Sequence, residues 1–134
     1  MLKQLSIYAE NKKGALQAMT NALYEAGINI WGSVTNDGAE YGINRMVVSD
    51  PDKAKEVLTE KGYLCRFVDV LAVEIEDKPG ALNTLLTALL DSNVNVDYTY
   101  LSFNRDSSTP VMILHTADAE EVEICLRAKG FKMV

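Results

Sequence analysis

Polar and apolar residues alternate at the start of the chain. Leu5, Ile7 and Ala9 interleave with Gln4, Ser6, Tyr8 and Glu10, the period of two of a half-buried strand. Past a turn at positions 10–14 the period lengthens. Ala15, Leu16, Met19, Ala22, Leu23 and Ala26 recur at threes and fours, which predicts an amphipathic helix with one face against a sheet. Gly27 stands where a left-handed residue closes such a helix. A second strand runs from Ile28 to Thr35 and turns at Asn36-Asp37-Gly38, a hairpin signal. The return strand spans roughly Tyr41 to Val48. Asp50-Pro51 then supplies an N-cap and a first-turn proline. Ala54, Val57 and Leu58 form the inner stripe of this second helix. Gly62 ends it, and Tyr63–Val68 is a last strand.

The same pattern then returns. Glu10-Asn11-Lys12-Lys13-Gly14-Ala15-Leu16 reappears 66 residues on as Glu76-Asp77-Lys78-Pro79-Gly80-Ala81-Leu82. At that shift Ala26-Gly27-Ile28-Asn29-Ile30 becomes Ser92-Asn93-Val94-Asn95-Val96. Lys61-Gly62-Tyr63 returns 68 residues on as Lys129-Gly130-Phe131, so two residues are gained, most simply in the loop Asn104–Thr109. The second copy thus has a strand through Leu71, Val73 and Ile75 and a helix with Leu82, Leu85, Leu86 and Leu89 inside. A strand from Val94 to about Phe103 and another at Val111–Thr116 follow. The last helix is capped by Asp118, carries Val122, Cys125 and Leu126 inside and ends at Gly130. A final strand begins at Phe131.

Strand, helix, strand, strand, helix, strand, twice over, is the split βαβ arrangement. The expected fold class is α+β: two tandem ferredoxin-like βαββαβ units, antiparallel sheets with helices on one face and the other face open. The units fall at 1–68 and 69–134. A unit of about 65 residues buries only about 60% of its unfolded surface, so the copies are expected to share a core or a sheet.

Composition narrows the function. A net charge of −6 argues against nucleic acid, which calls for a basic stripe. No apolar run approaches the ~20 residues that span a bilayer, and the alternating N-terminus is a strand, not a signal peptide. Cys65 and Cys125 fit no metal or redox spacing, which suits free thiols in a reducing cytoplasm. No nucleophile–base pair, metal cluster or cofactor loop stands out, so neither a catalytic residue nor a metal or cofactor is expected.

The repeated turn carries the candidate chemistry. Gly14 and Gly80 sit at strand-to-helix junctions, where glycine permits a sharp bend and close approach of a ligand. The first amides of the following helix lack intrahelical partners, and the helix dipole adds partial positive charge. The result is a small anion site sized for a carboxylate. Asn11 and Asp77 precede the glycines by three residues. Asn29 and Asn95 stand 18 residues beyond Asn11 and Asp77. A helix N-terminus beside Asn or Asp suits the carboxylate and ammonium of an amino acid. Each turn can equally be a turn and nothing more.

Asp77-Lys78-Pro79-Gly80-Ala81-Leu82 with Val94-Asn95-Val96 resembles the signature of ACT domains. Asn11-Lys12-Lys13-Gly14-Ala15-Leu16 with Ile28-Asn29-Ile30 is similar. The resemblance covers essentially the whole chain, as two ACT domains without a catalytic domain. It implies a regulatory protein that binds small molecules, most often amino acids. The ligand would lie at a seam, between the turn of one domain and the second-strand region of its neighbour. The implied ligand-binding residues are Asn11, Lys12, Lys13, Gly14, Ala15, Leu16, Asn29 and Ile30. In copy two they are Asp77, Lys78, Pro79, Gly80, Ala81, Leu82, Asn95 and Val96. Lys13 replaces Pro79 and restores an amide. Asp77 replaces Asn and favours an ammonium over a carboxylate, so the two sites should differ.

By alternation Trp31 falls on the open sheet face, as an interface residue or partly buried against Tyr8 or copy two. Tyr98 and Tyr100 line a pocket or fill core, and His115 is a packing residue. A homodimer is expected, and the competing role is a detached regulatory subunit docking on a partner enzyme. Nucleic acid and membrane are not expected partners.

Overall fold

A computed structural model of the chain describes residues 1–36 and 41–134. The hairpin tip expected at Asn36-Asp37-Gly38 lies, past Asn36, outside the described residues. The chain divides into two compact units, Lys3–Val68, and Asp69–Val134 together with Met1–Leu2. The first contains β1 (Leu2–Glu10, but for Leu2), α1 (Ala15–Glu25), β2 (Ile30–Asn36), β3 (Tyr41–Val48), α2 (Pro51–Glu60) and the start of β4 (Leu64–Glu74). The second contains the rest of β4, α3 (Ala81–Asp91), β5 (Val96–Phe103), β6 (Pro110–Thr116), α4 (Ala119–Ala128) and β7 (Lys132–Met133). Two separate strands were expected around Asp69. A single strand, β4, runs through that position instead.

Both units are βαββαβ with antiparallel strands. In the first, β3 lies between β2 and β1, with Leu5 opposite Met46. In the second, β4 pairs with β6 and β7, and Leu71 faces Leu114. Each unit has its own apolar cluster. Leu5, Ile7, Met19, Leu23, Met46 and Leu58 fill the first. Leu71, Val73, Leu85, Leu89, Leu114 and Leu126 fill the second. These are the strand faces and helix stripes that the periodicities mark.

Several expectations need correction. Leu16, Leu82 and Leu86 are exposed by 48%, 38% and 37%, so they flank the inner stripes and are not part of them. Gln4, Ser6 and Val47 in the first unit, and Val70, Ala72, Val111 and Ile113 in the second, are buried although they alternate with the core-facing residues. The sheet face away from the helices is therefore not left open at these positions. Asp50 caps α2 as expected, its carboxylate accepting from the Lys53 amide at 3.1 Å. Asp118 does not repeat this role. Its backbone is left-handed, at φ 54°, and its side chain makes no capping bond. Cys125 is only half-buried, with Sγ 3.3 Å from the Ser92 hydroxyl. Cys65 is buried, and burial pushes its thiol up, the reverse of an activated nucleophile.

Candidate functional site

Each strand-to-helix turn is built by its glycine. Gly14 has φ 83° and Gly80 φ 88°, the left-handed region that L residues enter at a cost. Neither helix has a side-chain N-cap. The turn closes on itself through the backbone, the Ala15 amide donating to Lys12 O at 3.1 Å and the Ala81 amide to Lys78 O at 3.2 Å. Among the described residues the amides of Leu16 and Gln17, and of Leu82 and Asn83, find no protein acceptor. A Cβ at either glycine would meet no atom within 4 Å. Gly14→Ala and Gly80→Ala are therefore expected to cost about 1–2 kcal/mol each through backbone strain alone, measured by urea unfolding.

A cleft opens beside each turn. The first, about 600 Å³, is lined by Tyr8, Glu10, Lys12, Lys13, Gly14, Ala15, Gly62, Tyr63 and Leu64 among others. The second, about 410 Å³, is lined by Glu74, Glu76, Lys78, Ala81, Thr84, Thr109, Gly130, Phe131 and Lys132 with Ile75. Most walls correspond position for position: Tyr8 with Glu74, Lys12 with Lys78, Ala15 with Ala81, Tyr63 with Phe131. Even the rim ion pair repeats, Lys12 to Glu10 at 3.1 Å and Lys78 to Glu76 at 2.6 Å. Exposed pairs of this kind contribute little stability, so both lysines stay available to a ligand. The third wall of each cleft is the Lys-Gly-aromatic turn. Its repetition was visible in the sequence, where it marked only a helix end.

The clefts differ in charge. Glu74 holds Thr109 Oγ1 at 2.6 Å, Asn104 Nδ2 at 3.1 Å and Lys132 Nζ at 3.2 Å. The Thr109 hydroxyl, ahead of Lys132 and Asn104, keeps its carboxyl below the usual glutamate range against the opposing effect of desolvation. A lowered carboxyl pKa adds stability above the unfolded-state value and loses it as pH falls through the native one. Unfolding of the wild type should therefore ease as pH drops below about 4.3. Glu74→Gln should flatten part of that acid slope while leaving its shape above pH 6 unchanged, as seen in urea titrations across pH.

The expected site residues do not all gather at the clefts. Asn11 and Leu16 line a separate, smaller cleft with Thr35 and Asn44. Asp77, Pro79, Gly80 and Leu82 form the second turn without lining its cleft. Asn29 lies elsewhere in its unit, its backbone exchanging bonds of 2.9 Å with Ser49. Ile30 and Val96 pack their side chains against the cores. Asn95 lines a third place, with Asp97, Asp118 and Glu121, and donates to Asp97 at 3.2 Å.

A β-bulge interrupts both second strands at equivalent positions, between Ile30 and Gly32 and between Val96 and Tyr98. It breaks the alternation that assigned Trp31 to the open face, and Trp31 is half-buried. In the second unit the bulged residue is Asp97. Its carboxylate meets His115 Nδ1 at 2.8 Å, and His115 stacks on Tyr98 at 5.0 Å. His115 is thus held by a specific pair as well as by packing, and Tyr100 is buried. Among the described residues no group of three or more His, Cys, Asp and Glu is placed to hold a metal, and no helix is long and apolar enough to cross a membrane.

The ACT domain pair family matches residues 1–133. A search of curated proteins finds no match. Among solved structures, protein BT0572 from Bacteroides thetaiotaomicron is similar at 30% identity and TM-score 0.90, covering 99% of this chain and 91% of its own. The ligand-free regulatory subunit of aspartate kinase from Thermus thermophilus shares the fold at 18% identity and TM-score 0.66, covering 94% and 88%. The corresponding subunit from Thermus flavus does so at 20% identity and TM-score 0.63, with the same coverage. Two βαββαβ units, each with a glycine turn ahead of its first helix, and a family match across the chain lead to one conclusion: this protein belongs to the ACT domain pair family.

Proposed function

We propose that this chain is a regulatory protein, not an enzyme, whose turns bind a small molecule, an amino acid first of all. One observation carries this: clefts with corresponding walls adjoin both left-handed glycine turns, each beside helix amides that lack a protein acceptor. The ligand carboxylate lies against the amides of Leu16 and Gln17, or of Leu82 and Asn83, where the helix dipole favours negative charge. Lys12 and Lys13, or Lys78 and Lys132, hold the same end, and the aromatic ring of Tyr63 or Phe131 covers the ligand's apolar part. A second copy of the chain, as in a symmetric dimer, closes the open side. The ligand regulates only if it binds two states of the assembly unequally. The test is calorimetric titration of the chain with each of the twenty amino acids. Saturable binding of at least one is expected, and heats of dilution alone for all twenty overturn the proposal.

A second reading is favoured by α3. Leu82, Leu86 and Leu90 follow one another at every fourth position and are exposed, Leu90 by 75%. This apolar ridge suits docking on a separate metabolic enzyme. The Thermus proteins of this fold are by name regulatory subunits of aspartate kinase. Leu86→Glu with Leu90→Glu separates the two: loss of a partner with amino-acid binding intact favours the docking role.

A further inference from the structure

We infer that the first unit holds a second, smaller pocket, for the ammonium-bearing end of a compact amino acid, and that the second unit has lost it. The inference rests on the amino-acid binding proposed above and adds a place and a size limit. The cleft lies under the N-terminal end of α1, lined by Glu10, Asn11, Leu16, Thr35 and Asn44 among others. Asn44 is out of pattern. It shares the helix-facing side of β3 with Met46 and Val48, and it is only 2% exposed. One end of its amide donates to Thr35 Oγ1 at 2.7 Å. The other end, Oδ1, is shielded from solvent and has no partner.

A buried amide with one idle end is costly. Such an atom calls for an explanation, and a bound donor supplies one. The idle atom is an acceptor, so the ligand donates an N–H. Glu10 and Lys12, paired at 3.1 Å, line the same cleft, so its charge is balanced. Leu16, whose amide lacks a protein acceptor, lines the same cleft, and such an amide suits a carboxylate. The cleft offers about 140 Å³, near the roughly 150 Å³ of a cavity that holds benzene. That suits glycine, alanine or serine, whereas the side chain of phenylalanine would project from its open side. In the second unit the counterparts of Thr35 and Asn44 are Leu101 and Met112, which face each other in the same register. They offer no polar atom to an ammonium.

The test uses the full chain with glycine, L-alanine and L-phenylalanine as probes. Glycine or alanine should shift the Asn44 side-chain amide resonances in ¹⁵N-labelled wild type, saturably, where phenylalanine does not. Thr35→Leu with Asn44→Met transplants the second unit's residues. It should lower glycine affinity at least tenfold while keeping or raising the melting temperature, since it removes an idle buried amide. If the variant fails to fold, the wild-type Asn44 resonances decide alone. Amino-acid binding that leaves Asn44 unshifted, or glycine binding unchanged in a folded variant, overturns this pocket and spares the turn clefts. Absence of binding by all twenty amino acids overturns both.

Discussion

Leu85→Ala is expected to destabilise the second unit by about 2–5 kcal/mol, and Leu86→Ala, one position on, by about 1 kcal/mol or less. Leu85 is wholly buried in the cluster with Leu71, Leu114 and Leu126. Removing its isobutyl group costs the transfer energy of those atoms and leaves a cavity that neighbours on a rigid sheet cannot collapse into. Leu86 is 37% exposed. Its side chain already meets water, so truncation removes only partial contacts. Urea unfolding at constant m-value measures both, and hydrogen exchange should place the loss of protection in residues 69–134. Equal losses at the two positions would mean that Leu86 faces inward with Leu85.

That pair of positions shows what patterning tells and where it stops. A period of 3.6 marks the buried side of α3, but its width depends on how close the sheet comes, which the helix sequence does not carry. The strands behave alike. Leu5, Ile7 and Ala9 told their face by alternation. Val70-Leu71-Ala72-Val73 is a continuous apolar run, the mark of a strand buried on both sides, but alternation alone reads it as a strand with one face open. The bulges at Trp31 and Asp97 left no such mark. Nothing local distinguishes an extra residue in a strand from the next alternating one, and a single extra residue reverses every later face assignment. Asp118 misled for a related reason. Its side chain can cap, but the loop before α4 places its backbone in the left-handed region, where the carboxylate does not reach the amides.

The candidate site was legible in its near wall only. The repeated glycine turns follow from sequence because the helix amides and the backbone conformation are local. Tyr63, Phe131 and Lys132 come from the turns and strand starts after the second helix of each unit, and sequence distance hides them. Asn44 did leave a signal. A polar residue two before Met46 and four before Val48 interrupts an apolar face, and such an interruption deserves the same notice as a motif.

A bound amino acid at 100 times its dissociation constant is expected to raise unfolding free energy by about 2.7 kcal/mol. The gain follows from mass action alone, whichever contacts supply it, provided the unfolded chain does not bind. Its distribution along the chain tells which turn is occupied. Each unit has its own core, so a ligand held at Gly14 should slow exchange most in α1 and β1, and one held at Gly80 most in α3 and the last residues of β4. The amides of Leu16 and Gln17, or Leu82 and Asn83, should slow further, because they gain an acceptor that the free protein does not give them. Gly14→Val or Gly80→Val, which strains the turn and puts a branched side chain where the ligand approaches, should abolish the protection in its own unit only. Stabilisation that spreads evenly and leaves all four amides exchanging at their free rate would place the ligand away from both turns.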